Sequence, residues 1–254
     1  MSFSSQLKAA TKGELPNSGL ILTPRIEAWY RSRAGASGFG AETIVEIGKQ
    51  MASTTNSSRA SRFGASAAGT CPRAQMLSFA GFDSVVPPDL SAIFADGHWR
   101  HLKWQAMGLE AGWFEEVEHV ATLPDWHLKV SLDAVNWSEG WFFELKGTSQ
   151  FAQIQKAGPP HKHLLQIHRC MLATGLDTCV YVAEDKRLQG FAEVVVRRDE
   201  ALMAEAEAEL EMLTAHVDAG TLPALLPGCV ERSGPDYRGC LYKTICHDAE
   251  WTGG

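Results

Sequence analysis

The residues that invite a chemical reading lie in two neighbouring segments, HLKVSLDAV at 127–135 and WFFELKG at 141–147. Side chains alternate faces along a strand, so residues two apart point the same way. Glu144 and Lys146 are therefore expected on one face, with Phe143 and Leu145 on the other. By the same rule Lys129, Ser131 and Asp133 form a polar face opposite Val130, Leu132 and Ala134. A hairpin across 136–139 would bring Asp133 near Glu144 and gather two carboxylates and an ammonium on the sheet. Carboxylates so placed suit Mg²⁺ or Mn²⁺, which prefer oxygen ligands. Such an ion lowers the pKa of a bound water and offsets the charge that develops in phosphodiester hydrolysis. A lysine beside it orients that water or stabilises the developing charge. The plainer alternative is a surface ion pair on an edge strand, because a Glu-x-Lys triplet arises by chance about once in a chain this size.

These segments need a frame. Strands are expected at 114–121, 126–135 and 140–146, a helix at 161–174, and two further strands at 177–183 and 190–197. An acidic helix and a cysteine-bearing tail follow. Strands, a crossover helix and more strands predict an α/β fold, a mixed central sheet with helices packed on it. Upstream, Pro72 suits the first position of a helix and Gly81 its end. The next helix starts after Pro87-Pro88, with an apolar side running Leu90, Ile93, Phe94, Gly97, His101 and Trp104. A histidine on such a face is ordinarily a buried one with a satisfied hydrogen bond. Helices are also expected at 25–33 and 41–51, and the Ser-, Ala- and Gly-rich stretch 52–70 reads as a loop or mobile arm. Residues 1–70 are taken as a helical lead-in and 71–254 as the main domain.

Asp133 followed by Glu144-Leu145-Lys146 resembles the D…(D/E)-x-K signature of the PD-(D/E)XK nuclease superfamily. Gly97-His98-Trp99-Arg100-His101 is similar to the G-x-x-x-H motif of its RecB-like branch, and QIHRC from Gln166 to the Q-x-x-x-Y motif. Cys170 stands where a Tyr is common, and Ser131 and Val130 where a Gly often precedes the Asp. The resemblance implies a restriction-endonuclease-like core, a metal held by His101, Asp133 and Glu144, and catalytic roles for Asp133, Glu144, Lys146 and Gln166. It also implies a DNA substrate, single-stranded or with free ends, cut as an exonuclease.

Six cysteines are present. Cys170, mid-helix, and Cys179, on a strand, read as small core residues. Cys71 opens a helix, while Cys229, Cys240 and Cys246 sit in the tail with spacing C-x10-C-x5-C. One early and three late cysteines resemble the iron–sulfur branch of RecB-like nucleases, AddB-type and CRISPR-associated exonucleases among them. That likeness implies a structural [4Fe-4S] cluster joining the two ends of the domain. Four thiolates also suit Zn²⁺, and ordinary thiols remain a third reading.

Composition sets the outer limits. With 254 residues, 45% hydrophobic and 21% charged, the chain can bury a core without disulfides. No apolar run approaches the roughly 20 residues of a membrane helix, and residues 1–16 lack the apolar middle of a signal peptide, so a cytoplasmic protein is expected. The net charge of −7 disfavours a polyanionic partner at first sight. Seven acids and no Lys or Arg fall in 199–220, however, while residues 1–75 carry nine Lys or Arg against four Glu. A basic N-terminal surface for phosphates and an acidic helix facing water would follow, or two ordinary solvated faces. Trp99, Trp104, Trp113, Trp126 and Trp141 are expected mostly in the core, with one or two free to stack on bases. A catalytically silent DNA-binding module, a structure-specific endonuclease and a zinc-stabilised regulatory protein are the competing readings.

Overall fold

The structure is a computed structural model, which describes residues 19–33, 38–53, 60–187, 190–232 and 234–251. Two helices, α1 (Thr23–Ser32) and α2 (Ala41–Ser53), precede a short strand β1 (Phe63–Gly64). Helices α3 (Pro72–Phe79) and α4 (Pro88–Glu110) lead into β2 (Glu116–Leu123), β3 (Leu128–Asn136) and β4 (Trp141–Thr148). After α5 (Phe151–Ala157) and α6 (His161–Thr174) come β5 (Thr178–Asp185), β6 (Phe191–Arg197) and the long α7 (Glu200–Asp218). Two short helices, α8 (Pro227–Val230) and α9 (Pro235–Gly239), begin the tail. No described helix is long and apolar enough to cross a membrane.

The expected mixed sheet flanked by helices is present, ordered β1-β3-β4-β5-β6, with β2 also on β3. The β2–β3, β3–β4 and β5–β6 pairs are antiparallel, and β4–β5 is parallel, joined through α5 and α6. One apolar cluster lies between the sheet and α3, α6 and α7, with Phe142, Ile167, Cys170, Tyr181 and Leu210 at its centre. The other includes Leu22 and Ile26 near α1, Trp104 and Met107 of α4, and Phe143, Leu145 and Val180 of the sheet. Cys170 and Cys179 are fully buried, as core residues should be.

Several expectations are corrected. The stretch 52–70 is not all loop: Phe63 is buried and pairs in parallel with Leu128, and Ala65–Ala67 form a 3-10 turn. Residues 54–59 lie outside the described part. The apolar side of α4 is buried only in its second half. Trp104 is 3% exposed, whereas Ile93 is 50% and Phe94 54% exposed. Trp99, at 58%, is likewise outside the core. The acidic helix does not simply face water. Glu209 of α7 pairs at 2.8 Å with Arg169, which is wholly buried and also donates to the Gly64 carbonyl and to Gln75. Nor is the N-terminal surface a free basic patch. Arg25, Arg31, Arg33 and Lys49 are ion-paired, and Arg73 is committed to backbone carbonyls. Lys8, Lys12 and Arg59 lie outside the described residues.

A close approach fixes α4 against the following turn. A Cβ added at Gly108 would sit 2.0 Å from the ring of Phe114, itself buried. Gly108→Ala is expected to cost about 1–3 kcal/mol or more by overpacking, measured by denaturant unfolding. An unchanged midpoint would show that this contact is not a constraint.

Candidate metal and catalytic site

The site forms where β3 loses its partner. Strand β2 runs along one edge of β3, so β1 and β4 must share the other. There β1 holds Leu128 and Lys129, β4 holds Ala134 to Asn136, and the edge between is unpaired. Continuing the Ala134↔Phe143 register would set Asp133 opposite Glu144, but the ladder stops one pair short. Instead, the Asp133 carboxylate accepts the Leu145 backbone N–H at 2.7 Å. The side chain thus replaces the ladder at the point of separation.

The face assignment of β3 also differs from strict alternation. Leu128, Val130 and Leu132 enter the cluster under α6, but Ala134 enters the opposite one and Val135 returns to the first. The alternation slips by one at Asp133, which is thereby turned onto the face of Glu144 and away from that of Lys129 and Ser131. Strand β2 shows the same change: Val117 joins one cluster, while Ala121 and Leu123 pack on the other. Between them Glu118, opposite Asp133 by register, has a left-handed φ of 53°. A non-glycine residue there is strained and persists only when its surroundings hold it. Gln105 of α4 donates to the Glu118 carboxylate at 2.7 Å and to the Asp133 carbonyl at 2.9 Å, and Ser131 donates to Glu118 at 3.0 Å.

His101, one turn before Gln105 on α4, places Nδ1 2.9 Å from Asp133 Oδ1. Glu144, 2% exposed, lies 2.6 Å from Lys146 Nζ and accepts from Gln166 Nε2 at 2.6 Å. Four of the five residues expected at the site are thus joined in two pairs, His101–Asp133 and Lys146–Glu144, and Gln166 bonds to the second. Glu118 was missed. Among the described residues, one set of at least three His, Cys, Asp or Glu ligand atoms lies within 4.8 Å of one another, and it is His101, Glu118 and Asp133. One nitrogen and two carboxylate oxygens fit a divalent cation. Glu144 falls outside that set. The only sequence signal for Glu118 is its polar place in a strand next to the Asp133 strand, which many surface residues share.

Charge in the site is mutually supported. Asp133 raises His101 to about 9 despite burial, which opposes it, and Glu144 adds to the rise. Burial pushes Glu144 up, with the nearby Asp133 adding to it, while Lys146 opposes. Asp133 is held low by His101 and Lys146 against its own burial. Beside this centre Glu184, 1% exposed, is met by Arg100, Lys103 and the Trp104 indole, the last at 3.0 Å.

The cysteines divide. Burial raises the Cys246 thiol, with Arg73 opposing and Cys240 and Cys71 adding to the rise. Arg73, two residues after Cys71, donates to the carbonyls of Cys246 at 2.9 and 3.0 Å, of Pro223 at 3.0 Å and of Ala249 at 3.2 Å. The Cys240 sulfur accepts the Tyr242 N–H at 3.4 Å. Cys229 is buried at α8. No three of these sulfurs share the 4.8 Å limit. Tetrahedral zinc, with Zn–S near 2.3 Å, would require sulfurs about 3.8 Å apart.

No protein-family model matches the chain, and no curated protein matches it. Among solved structures the chain is similar to LHK-Exo in complex with dAMP, an alkaline exonuclease from Laribacter hongkongensis. The identity is 20% and the TM-score 0.48, covering 63% of this chain and 90% of that one. It is also similar to a phage related exonuclease from Haemophilus somnus 129PT, with 11% identity and a TM-score of 0.44, covering 58% of this chain and 79% of that one.

Two outcomes follow from this geometry. In metal-free protein the His101 pKa is raised above its unfolded value, so its stabilising effect is full below about pH 6.5 and is lost as pH rises through about 9. Histidine NMR should show one ring titrating near 9 that returns toward 6.5 in Asp133→Asn. Calorimetry with Mn²⁺ should show about 10-fold weaker binding in Glu118→Gln. Equal affinity would remove Glu118 from the metal site.

Proposed function

We propose that the chain is a metal-dependent DNA nuclease with a PD-(D/E)XK-type core, acting as an exonuclease on single-stranded or free-ended DNA. The observation that carries this reading is the meeting of Asp133, Glu144 and Lys146 on one sheet face at the β3–β4 separation, with His101 on Asp133. Three features are hard to account for as surface chemistry. Both carboxylates are buried, each is bonded to a second group that fixes its orientation, and the cluster opens on an unpaired strand edge.

Asp133, Glu144 and His101 are assigned to Mg²⁺ or Mn²⁺, with Glu118 as an added carboxylate. Bound there, the ion would supply an acidified water and neutralise phosphate charge. His101 must first give up the proton that Asp133 stabilises. Lys146, held by Glu144, presents its ammonium toward the attacking water and the developing charge. Gln166 keeps the Glu144 carboxylate in place from α6. Cys71, Cys229, Cys240 and Cys246 are assigned to a [4Fe-4S] cluster that fastens the tail to α3. Arg73, two residues after Cys71, donates to the Cys246 carbonyl and so ties the tail to α3, which supports this.

End-labelled single-stranded DNA in Mn²⁺ should be shortened by the wild-type protein, with Lys146→Ala slower by at least about 100-fold. Equal activity in both would assign the cleavage to another site. Protein purified without oxygen should carry iron that Cys246→Ser loses and Lys146→Ala keeps. Zinc in place of iron, or neither metal, would refute the cluster.

A further inference from the structure

One buried pair beside the centre is left unused by that mechanism. Tyr181 stands directly opposite Glu144 in the parallel β4–β5 register, so the two side chains are neighbours on one face. Its hydroxyl lies 2.9 Å from Nδ1 of His163. His163 is in the first turn of α6, three residues before Gln166, hence on the same helix side as the residue that holds Glu144. Two residues on, on the same face, Lys146 is paired with Ala183. His163 thus shares with Gln166 the side of α6 that is turned to Tyr181 and Glu144.

The hydrogen-bond direction follows from burial. Tyr181 is 0% exposed, so its O–H needs an acceptor, and His163 Nδ1 is the partner the structure provides. Accepting at Nδ1 puts the ring proton on Nε2. Burial, with Lys146 and Lys162, lowers His163 to about 4, and burial, with Glu144, pushes the Tyr181 hydroxyl up. A half-buried imidazole results, oriented by Tyr181, with an N–H donor at Nε2 that has no hydrogen-bond partner among the described residues.

We propose that His163, seated on Tyr181, donates a hydrogen bond from Nε2 to a phosphate oxygen of the nucleic-acid strand held at the Glu144–Lys146 centre. The inference rests on the nuclease reading and adds a binding residue to it. A neutral donor suits this place because Lys146 already supplies the cation, and a second charge would compete for Glu144. The role differs from general acid–base catalysis, since no proton is exchanged.

Single-turnover cleavage of end-labelled DNA in Mn²⁺ tests it in wild type, Lys146→Ala, His163→Ala, His163→Gln and Tyr181→Phe. His163→Ala should slow cleavage about 10- to 100-fold. His163→Gln, which keeps a neutral N–H donor, should recover most of the loss. Tyr181→Phe should fall between them, and the pH–rate profile should keep its shape in every variant. Equal rates for His163→Ala and wild type would overturn the proposal. So would equal slowing in His163→Ala and His163→Gln, or loss of a limb of the pH profile, which would mark a structural or an acid–base role. A wild type that cleaves nothing, with Lys146→Ala no different, would instead defeat the nuclease reading, and this inference with it.

Discussion

The slip in side-chain alternation at Asp133 is the constraint on which the site depends. Without it, Asp133 would lie on the face of Lys129 and Ser131, across the sheet from Glu144. The change needs a matching irregularity on the paired strand, and Glu118 supplies it by taking a left-handed conformation opposite Asp133. Gln105 bonds both members of that pair at once, so α4 holds the irregularity in place. One turn earlier the same helix delivers His101 to Asp133. Backbone strain of this kind costs of order 1–3 kcal/mol and is retained where its surroundings over-determine it.

The second requirement is an unpaired stretch of strand edge that does not become a liability. An open edge exposes backbone donors and acceptors that would otherwise invite another strand. Here β3 and β4 separate after Ala134↔Phe143, and the Asp133 carboxylate takes up the Leu145 N–H that the ladder abandons. The same residue ends the pairing, satisfies the freed donor and contributes to the charged cluster. Its burial would raise its pKa, yet His101 and Lys146 hold it in the charged form. The groups of the site are therefore stable as a set, and removal of one leaves another buried and unpaired.

Around this centre the fold is tied by polar groups reaching between distant segments. Glu193 of β6 accepts the backbone N–H groups of Ile21, Leu22 and Thr23 at 2.6, 3.0 and 2.6 Å, capping α1 with a carboxylate where the helix dipole favours one. Arg169 binds α6 to α7 and to the β1 segment, and Arg73 binds α3 to the tail. These contacts stand in for the disulfides the chain lacks, and they explain why much of the basic and acidic sequence is spent internally rather than on a binding surface.

Much of the fold and part of the site were legible in the residues themselves. The helix at 161–174 matches α6, and the strands agree with β2 to β6 within about two residues, because periodicity and turn residues are local properties. The short turn after Asn136 also set the antiparallel β3–β4 register, but the slip that turns Asp133 onto the Glu144 face had no local signal. The short helix α5 and strand β1 had no such signal, being too brief for a period to show. Exposure of Ile93, Phe94 and Trp99 could not be read either, since an apolar stripe records which residues can be buried and not what packs against them. Glu118 and the His163–Tyr181 pair were decided by tertiary structure alone. Each depends on a contact between segments far apart in sequence, made only once the sheet is assembled and α4 and α6 are packed against it.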